Sequence, residues 1–427
     1  MLSIKWIRNN KESFSKFLKK RNIPDFDLET LLTLDEEVRQ ITTLIQSFKQ
    51  SKSKKSALLA KFRGVSNRDV INLKRDIDHI DEKLSELDNR SIVEEKLHKM
   101  LSEVPNLLDE DVPEGIGEDM NQVLKTYDAS DKKFSFEIQT HDKILNDLQM
   151  IDFINTSKFS GSKFVTLKGD LAKFNRALIN FMIDHNTNYG FEELYPPYIV
   201  RESALYNTGQ LYKFHNDLYL LSEDKLGLIP TGEVPLVNMV ADSILKLEEL
   251  PKRFVAFTSC FRREAGSAGV ENKGLIRNHQ FGKVELVSIT DELNSKEEHE
   301  FLLHVVENLL KKLEIPYRVV VLCGGDTGFT ASKTFDIEIW LPASKIYKEI
   351  SSISNCRDFQ SRRANIRYKD ANNKNVLAHS LNASSTAIGR TIIAIAENYQ
   401  DLNHSISIPS VLIPYMDGQK KLMKKKE

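Results

Sequence analysis

Two charged segments bracket a glycine-rich loop in this 427-residue chain. Phe261-Arg262-Arg263-Glu264 closes a strand-like run that starts at Phe254 and reaches Cys260. Arg277-Asn278-His279-Gln280-Phe281-Gly282-Lys283-Val284-Glu285 opens the next such run. With residues 265–276 between them, the pair reads as a β-hairpin carrying arginines at both ends of its loop. A guanidinium presents paired donors in one plane and so matches phosphate oxygens. A third element, Gly389-Arg390, sits where an apolar helix over 387–399 begins. The free N–H groups at a helix start also favour anions. Each segment alone has a plain reading as surface charge; together they predict a polyphosphate site on an antiparallel sheet.

The elements that must position these residues form a mixed α/β body. Helical periodicity covers 171–188 and 296–313, and strand-like runs cover 254–260, 282–289, 317–323 and 335–341. Ahead of the body, residues 27–104 read differently. Leu31, Leu34, Val38, Ile41, Ile45 and Phe48 alternate steps of three and four, a heptad seam, and Ile77, Ile80, Leu84 and Leu87 make a second. The pattern breaks at 64–67, so an antiparallel helical hairpin is expected. Residues 105–127, with Pro105, Pro113, Gly115 and Gly117 among acids, read as a linker. The expected organisation is a helical domain over 1–104, that linker, and a body over 128–427.

Composition bounds what these parts can do. The 60 basic and 61 acidic residues give a net charge of −1, which excludes a uniformly basic nucleic-acid binder. The charge is unevenly placed, however. Lys49, Lys52, Lys54, Lys55, Lys61, Arg63, Arg68, Lys74 and Arg75 face only Asp69 within 49–75, so that segment carries 9 − 1 = +8 and the remainder −9. A solvated coiled-coil tip and a contact surface for a phosphate backbone both fit this segment. No apolar run approaches the roughly 20 residues of a membrane span. Cys260, Cys323 and Cys356 are far apart and form no CxxC pair, so neither a disulfide framework nor a structural zinc site is expected, and the cytoplasm is the expected compartment. Residues 1–21 carry seven basic side chains against Glu12 alone, which fits either a targeting presequence or a folded basic amphipathic helix.

Other apparent motifs fail on spacing. His299 and His304 are five apart, which leaves them about 140° from a shared helical face and unsuited to zinc. Neither a P-loop nor a GxGxxG turn after a strand is present, and no GxSxG elbow stands out. Gly324, Gly325 and Gly328 read as a turn.

The residues together resemble the seryl-tRNA synthetases, a family of class II aminoacyl-tRNA synthetases, over essentially the whole chain. Met1-Leu2-Ser3-Ile4-Lys5 with Ile7-Arg8 is similar to the family's opening, which favours the folded helix at the N-terminus. Residues 190–200, with Pro196-Pro197, resemble motif 1, and Thr208-Gly209-Gln210-Leu211 is the next landmark. Thr231-Gly232-Glu233 resembles the serine-binding TxE loop; 261–269 with 276–281 resembles motif 2. Glu349-Ile350-Ser351-Ser352 and Asp358-Phe359-Gln360 follow, and Leu381-Asn382 with 389–400 resembles motif 3. Asn382-Ala383-Ser384-Ser385 departs from the usual Asn-Gly-Ser-Gly, which leaves Ser384 and Ser385 both open as the serine contact.

The resemblance implies an α+β fold, an antiparallel sheet flanked by helices and preceded by a coiled-coil arm. It implies a homodimer with motif 1 at the interface. It also implies a two-step reaction: serine and ATP give seryl-adenylate, and tRNA(Ser) accepts the seryl group, with tRNA(Sec) open as a second acceptor. By resemblance, Arg262 and Arg390 are the catalytic cations. ATP is met by Arg262, Arg263, Glu264, Arg277, Phe281, Glu349, Ile350, Ser351, Ser352 and Arg390, with Mg2+ on Glu349 and Ser352. Serine is met by Thr231, Gly232, Glu233, Arg262, Glu285, Asn382 and Ser384. The nine cations of 49–75 become the tRNA contact. Two other readings remain: an amino-acid-activating enzyme that serves a carrier protein, which the arm disfavours, and a silent tRNA-binding paralogue, which the retained phosphate arginines disfavour.

Overall fold

The computed structural model describes residues 1–62, 68–87, 90–128, 134–265 and 274–424. Arg63, the expected turn at 64–67 and the motif 2 loop residues 266–273 lie outside the described residues. The chain divides into two compact units. One comprises residues 2–19 and 23–104; the other comprises residue 1, residues 20–22 and residues 105–427.

In the first unit, the basic N-terminal segment forms the helices Ile4–Asn9 and Lys11–Lys20, and the second buries Phe14, Phe17 and Leu18 on one face. The long helix Leu28–Lys61 is started by Asp27, whose carboxylate accepts from the Thr30 N–H at 2.9 Å. Its seam behaves as the heptad spacing requires: Leu31 is buried and Leu34, Val38, Ile41, Ile45 and Phe48 are at least half-covered. They pack against two helices, Arg68–Glu86 and Arg90–Ser102, rather than against one returning limb. Asp35 is buried between Arg8 at 2.9 Å and Arg39 at 3.2 Å, which satisfies the charge that its burial would otherwise strand.

The second unit is built on one eight-stranded sheet. In chain order its strands are β1 (Gln122–Tyr127), β2 (Glu192–Glu193), β3 (Lys252–Phe261), β4 (Gln280–Thr290), β5 (Tyr317–Val321), β6 (Lys333–Leu341), β7 (Ile346–Arg357) and β8 (His379–Ala387). They lie in the order β1-β5-β6-β7-β8-β4-β3-β2, antiparallel except for the β2–β3 pair. Residues 122–127 of the expected linker therefore form an edge strand. Asn106, Asp109 and Val112, earlier in the same stretch, are buried. Helices Asp170–Thr187, Ser295–Lys312 and Ile388–Asn398 pack on one face of the sheet. That side holds the main core, including Phe174, Leu178, Leu302, Leu309, Ile392 and Ile395. The cavities described next lie along the ends and opposite face of β3, β4, β7 and β8.

Candidate active site

The hairpin expected from the arginine spacing is β3–β4, with Phe261 opposite Gln280 and Cys260 opposite Phe281. Its ends are tied down by backbone bonds: the Arg262 N–H donates to the His279 carbonyl at 2.9 Å, and the Arg263 N–H to the Asp217 carbonyl at 2.8 Å. Glu264 takes a left-handed φ of 49°, a conformation that costs a side-chain-bearing residue about 1–3 kcal/mol. From there its carboxylate meets Arg277 at 3.2 Å across the loop.

Two adjoining cavities share Arg262, Glu264, Lys283, Glu349 and Ser384. The first is lined by Arg277, Phe281, Ile350, Gly389 and Arg390 besides these. Arg390 donates to the Glu349 carbonyl at 2.7 Å and pairs with its carboxylate at 3.2 Å. Burial would raise the Glu349 carboxyl, but Arg390, with Arg262 and Lys283, outweighs it and holds the group below its ordinary value. The Arg262 guanidinium lies 5.3 Å from the Phe281 ring centre and donates through Nε to the Pro230 carbonyl at 3.2 Å.

The second cavity, about 400 Å³, adds Thr231, Glu233, Glu285, Ser352, Ser354 and Asn382, with residues 328–331 as a wall. Glu233 is 6% exposed. Gln360 donates to its Oε1 at 2.6 Å and Asn382 at 2.7 Å. Burial, then repulsion from Glu285, raises its carboxyl to about 7 against the partial relief of the Gln360 bond. Thr231 Oγ1 donates to Glu285 Oε2 at 2.9 Å. The wall is held from behind by Arg21, which is buried and donates to the carbonyls of Asn106, Thr327, Gly328 and Ala331. Asn106 adds bonds to the carbonyls of Thr330 and Cys356.

The β8 bulge turns the two motif 3 serines to opposite sides of the sheet. Glu285 pairs with Ser384 but Val284 pairs with Thr386, so Ser385 is the extra residue. Ser384 lines both cavities, while Ser385 turns to the helix side and accepts from Asn186 at 2.9 Å. Three other expected residues do not line either cavity among the described residues. Arg263 is exposed, and Gly232 lies beneath Glu285. Ser351 is buried and donates to the Ser384 carbonyl. Lys283 and Ser354 line the site and Gln360 braces Glu233, and none of the three has a role that the sequence predicts. The signal for Lys283 was its spacing: Phe281, Lys283 and Glu285 alternate on one face of a strand.

The donor set for a cation is oxygen. Ser352 stands opposite Asp336 in the β6–β7 ladder, and Asp336 carries a buried Oδ1 with no hydrogen-bond partner. Burial, then repulsion from Glu349, raises the Asp336 carboxyl. Hard oxygens with an orphaned acceptor beside them fit Mg2+ that keeps waters or phosphate oxygens as its other ligands. No group of three or more His, Cys, Asp or Glu able to hold a metal by itself occurs among the described residues. His299 Nε2 meets the Ile353 carbonyl at 2.9 Å while His304 is exposed beside Asn308.

On the arm, among the described residues, two of the expected cations are already engaged. Lys52 pairs with Asp81 and Lys55 with Asp76, each at 2.5 Å, from the helix opposite. Lys49, Lys54, Lys61, Arg68, Lys74 and Arg75 are exposed. No helix among the described residues is long and apolar enough to cross a membrane.

Residues 212–399 match the family model described as the tRNA synthetase class II core domain (G, H, P, S and T), and the sheet with its cavities is the architecture of that class. Residues 1–108 match the seryl-tRNA synthetase N-terminal domain. The serine–tRNA ligase of Rickettsia prowazekii is 50% identical over 99% of each chain. Among solved structures, the seryl-tRNA synthetase of Pyrococcus horikoshii complexed with ATP matches with a TM-score of 0.90 at 33% identity over 100% of both chains. The cytoplasmic serine–tRNA ligase of Naegleria fowleri in complex with AMP matches at 0.85 and 25%, covering 100% of this chain and 99% of that one. The chain belongs to the seryl-tRNA synthetase family.

Proposed function

We propose that the chain activates L-serine with ATP and transfers the seryl group to tRNA(Ser), and that the two cavities are where the first step occurs. The observation that carries this reading is Arg262, whose guanidinium is common to both cavities. A carboxylate oxygen of serine attacks the α-phosphorus of ATP, the bond from that phosphorus to the bridging oxygen breaks, and pyrophosphate leaves. The carboxylate is ionised at neutral pH and needs no base. Two anions must nevertheless approach each other, so positioned cations supply most of the catalysis.

In this proposal Arg262 holds the α-phosphate and the serine carboxylate together. Phe281 stacks on adenine, and Glu264 accepts from its amino group. Arg277 and Arg390 hold the outer phosphates, for which each must exchange its present carboxylate partner. Ile350 closes the nucleotide cavity from one side. Glu349 and Ser352 hold Mg2+, with Asp336 behind Ser352. When bound, the ion neutralises charge on the pyrophosphate. Glu233 takes the serine ammonium, braced by Gln360 and Asn382, and Thr231 steadies Glu285. Glu285 and Ser384 take the hydroxyl. In the second step a ribose hydroxyl of the terminal adenosine attacks the seryl carbonyl, and AMP leaves.

The exposed cations of the arm are proposed to meet the tRNA backbone, with residues 1–104 as the arm domain and 128–427 as the catalytic domain. tRNA(Sec) falls within the same proposal. So do a homodimer, supported by the 86% exposure of Tyr195 in the motif 1 segment, and a cytoplasmic location. The test is charging of tRNA(Ser) with labelled serine by the wild type and Arg262→Ala. Charging that is lost in the variant while its fold is retained supports the assignment; near-normal charging by the variant overturns it.

A further inference from the structure

Strand β4 sends Phe281, Lys283 and Glu285 to the cavity side, two residues apart. Lys283 is the one without a role in the reaction above. It is 7% exposed and stands where the two cavities meet. Its ammonium closes on Oε2 of Glu285. That same oxygen accepts from Thr231 Oγ1 at 2.9 Å. The stem of Glu285 is confined as well: a methyl group on Gly232 would come within 2.9 Å of its Cβ, and Ser384 is its neighbour across the ladder. Oε2 is therefore held from two sides, and Oε1 is the oxygen left to face a ligand.

We propose that Lys283 is a positioning residue for substrate selection. By holding Oε2 of Glu285 it aims Oε1 at the serine hydroxyl. The inference rests on the reading of this cavity as the serine site. A second carboxylate, Glu233, shares the cavity, so removing the ammonium leaves two buried acids with fewer cations between them. A buried carboxylate that loses its partner turns toward whatever donor or solvent it can reach. Glu285 would then no longer present a fixed acceptor. Serine would lose its hydroxyl contact. Alanine has no hydroxyl, so its activation would fall less. A lysine acting on the carboxylate or α-phosphate would behave differently, because both amino acids carry those groups.

The experiment is pyrophosphate exchange with serine and with alanine, measured as kcat/KM for the full-length wild type, Lys283→Met, Glu285→Gln and the double variant. Wild type should prefer serine by about 10⁴-fold, as expected of a site built around a hydroxyl. Lys283→Met should lower that ratio at least about tenfold through serine, and should lower it no further in the Glu285→Gln background. ATP binding measured by calorimetry reports that each variant is folded, and Lys283→Gln serves if the methionine variant is not. An equal fall for both amino acids, or an undiminished effect of Lys283→Met in the Glu285→Gln background, overturns the proposal. A wild type that shows no preference for serine overturns the reading of the cavity instead.

Discussion

Replacing Glu233 by glutamine should stabilise the protein at alkaline pH while weakening serine binding. The folded chain holds this carboxyl at about 7, against an ordinary value of 4.5. Its folded value lies above its unfolded one, so the folded state binds the proton more tightly. Ionisation of Glu233 therefore opposes folding, in full above pH 7 and not at all well below 4.5. The gap between those values corresponds to about 3 kcal/mol at pH 8, at about 1.4 kcal/mol per pH unit. Glutamine keeps an acceptor for Gln360 and Asn382 but carries no charge to desolvate. Unfolding of wild type and Glu233→Gln should be compared at pH 8 and pH 5. The variant should be the more stable at pH 8, by up to about 3 kcal/mol, and the advantage should shrink below about 1 kcal/mol at pH 5. In the same proteins, kcat/KM for serine should fall about tenfold in wild type from pH 8 to pH 6, as the carboxylate that meets the ammonium is lost, and should be low and flat in the variant. A variant less stable than wild type at pH 8, or a difference that ignores pH, would refute the reasoning.

Three further outcomes follow from the packing. Ser385→Ala removes one of the two acceptors of the Asn186 amide, leaving the Met182 carbonyl as the other, and should cost about 1–3 kcal/mol of stability for the N–H left unpaired, whereas Ser384→Ala should spare stability and reduce the preference for serine over alanine. Arg21→Met strips donors from three buried carbonyl groups, those of Asn106, Thr327 and Ala331, and from that of exposed Gly328, and should cost at least about 3 kcal/mol, read as a lower thermal midpoint and a raised KM for serine. Neutralising Lys54, Lys61, Lys74 or Arg75 should weaken tRNA binding and flatten its salt dependence by about one per lost phosphate contact; Lys52→Ala and Lys55→Ala, whose ammonium groups Asp81 and Asp76 already hold, should change that slope least.

Much of the site was legible because its residues obey local rules. The two ends of one hairpin place Arg262, Glu264, Arg277 and Phe281, and a single β-hairpin is readable from a short stretch of sequence. Strands β7 and β8 carry no strand pattern in the sequence. One face of each lines the cavities, so Ser352, Ser354, Asn382 and Ser384 replace the apolar residues whose alternation marks a half-buried strand. The β8 bulge was equally hidden, since two adjacent serines look alike until the ladder is known. The arm seam is legible from Leu31 to Phe48, but the second seam predicts one returning helix where there are two. The pairing of Lys52 and Lys55 also escaped, because their partners sit on a different helix from their own. Arg21 and Asn106 brace carbonyls about 200 or more residues away in sequence, and no local pattern announces such a contact.

The most direct test of the central claim is amino-acid-dependent exchange of labelled pyrophosphate into ATP, run with each of the common amino acids in turn on the full-length protein. Serine should support exchange far above every other amino acid, and Arg262→Ala should reduce it by about 10²-fold or more. Exchange driven by a different amino acid, with serine silent, would contradict the account.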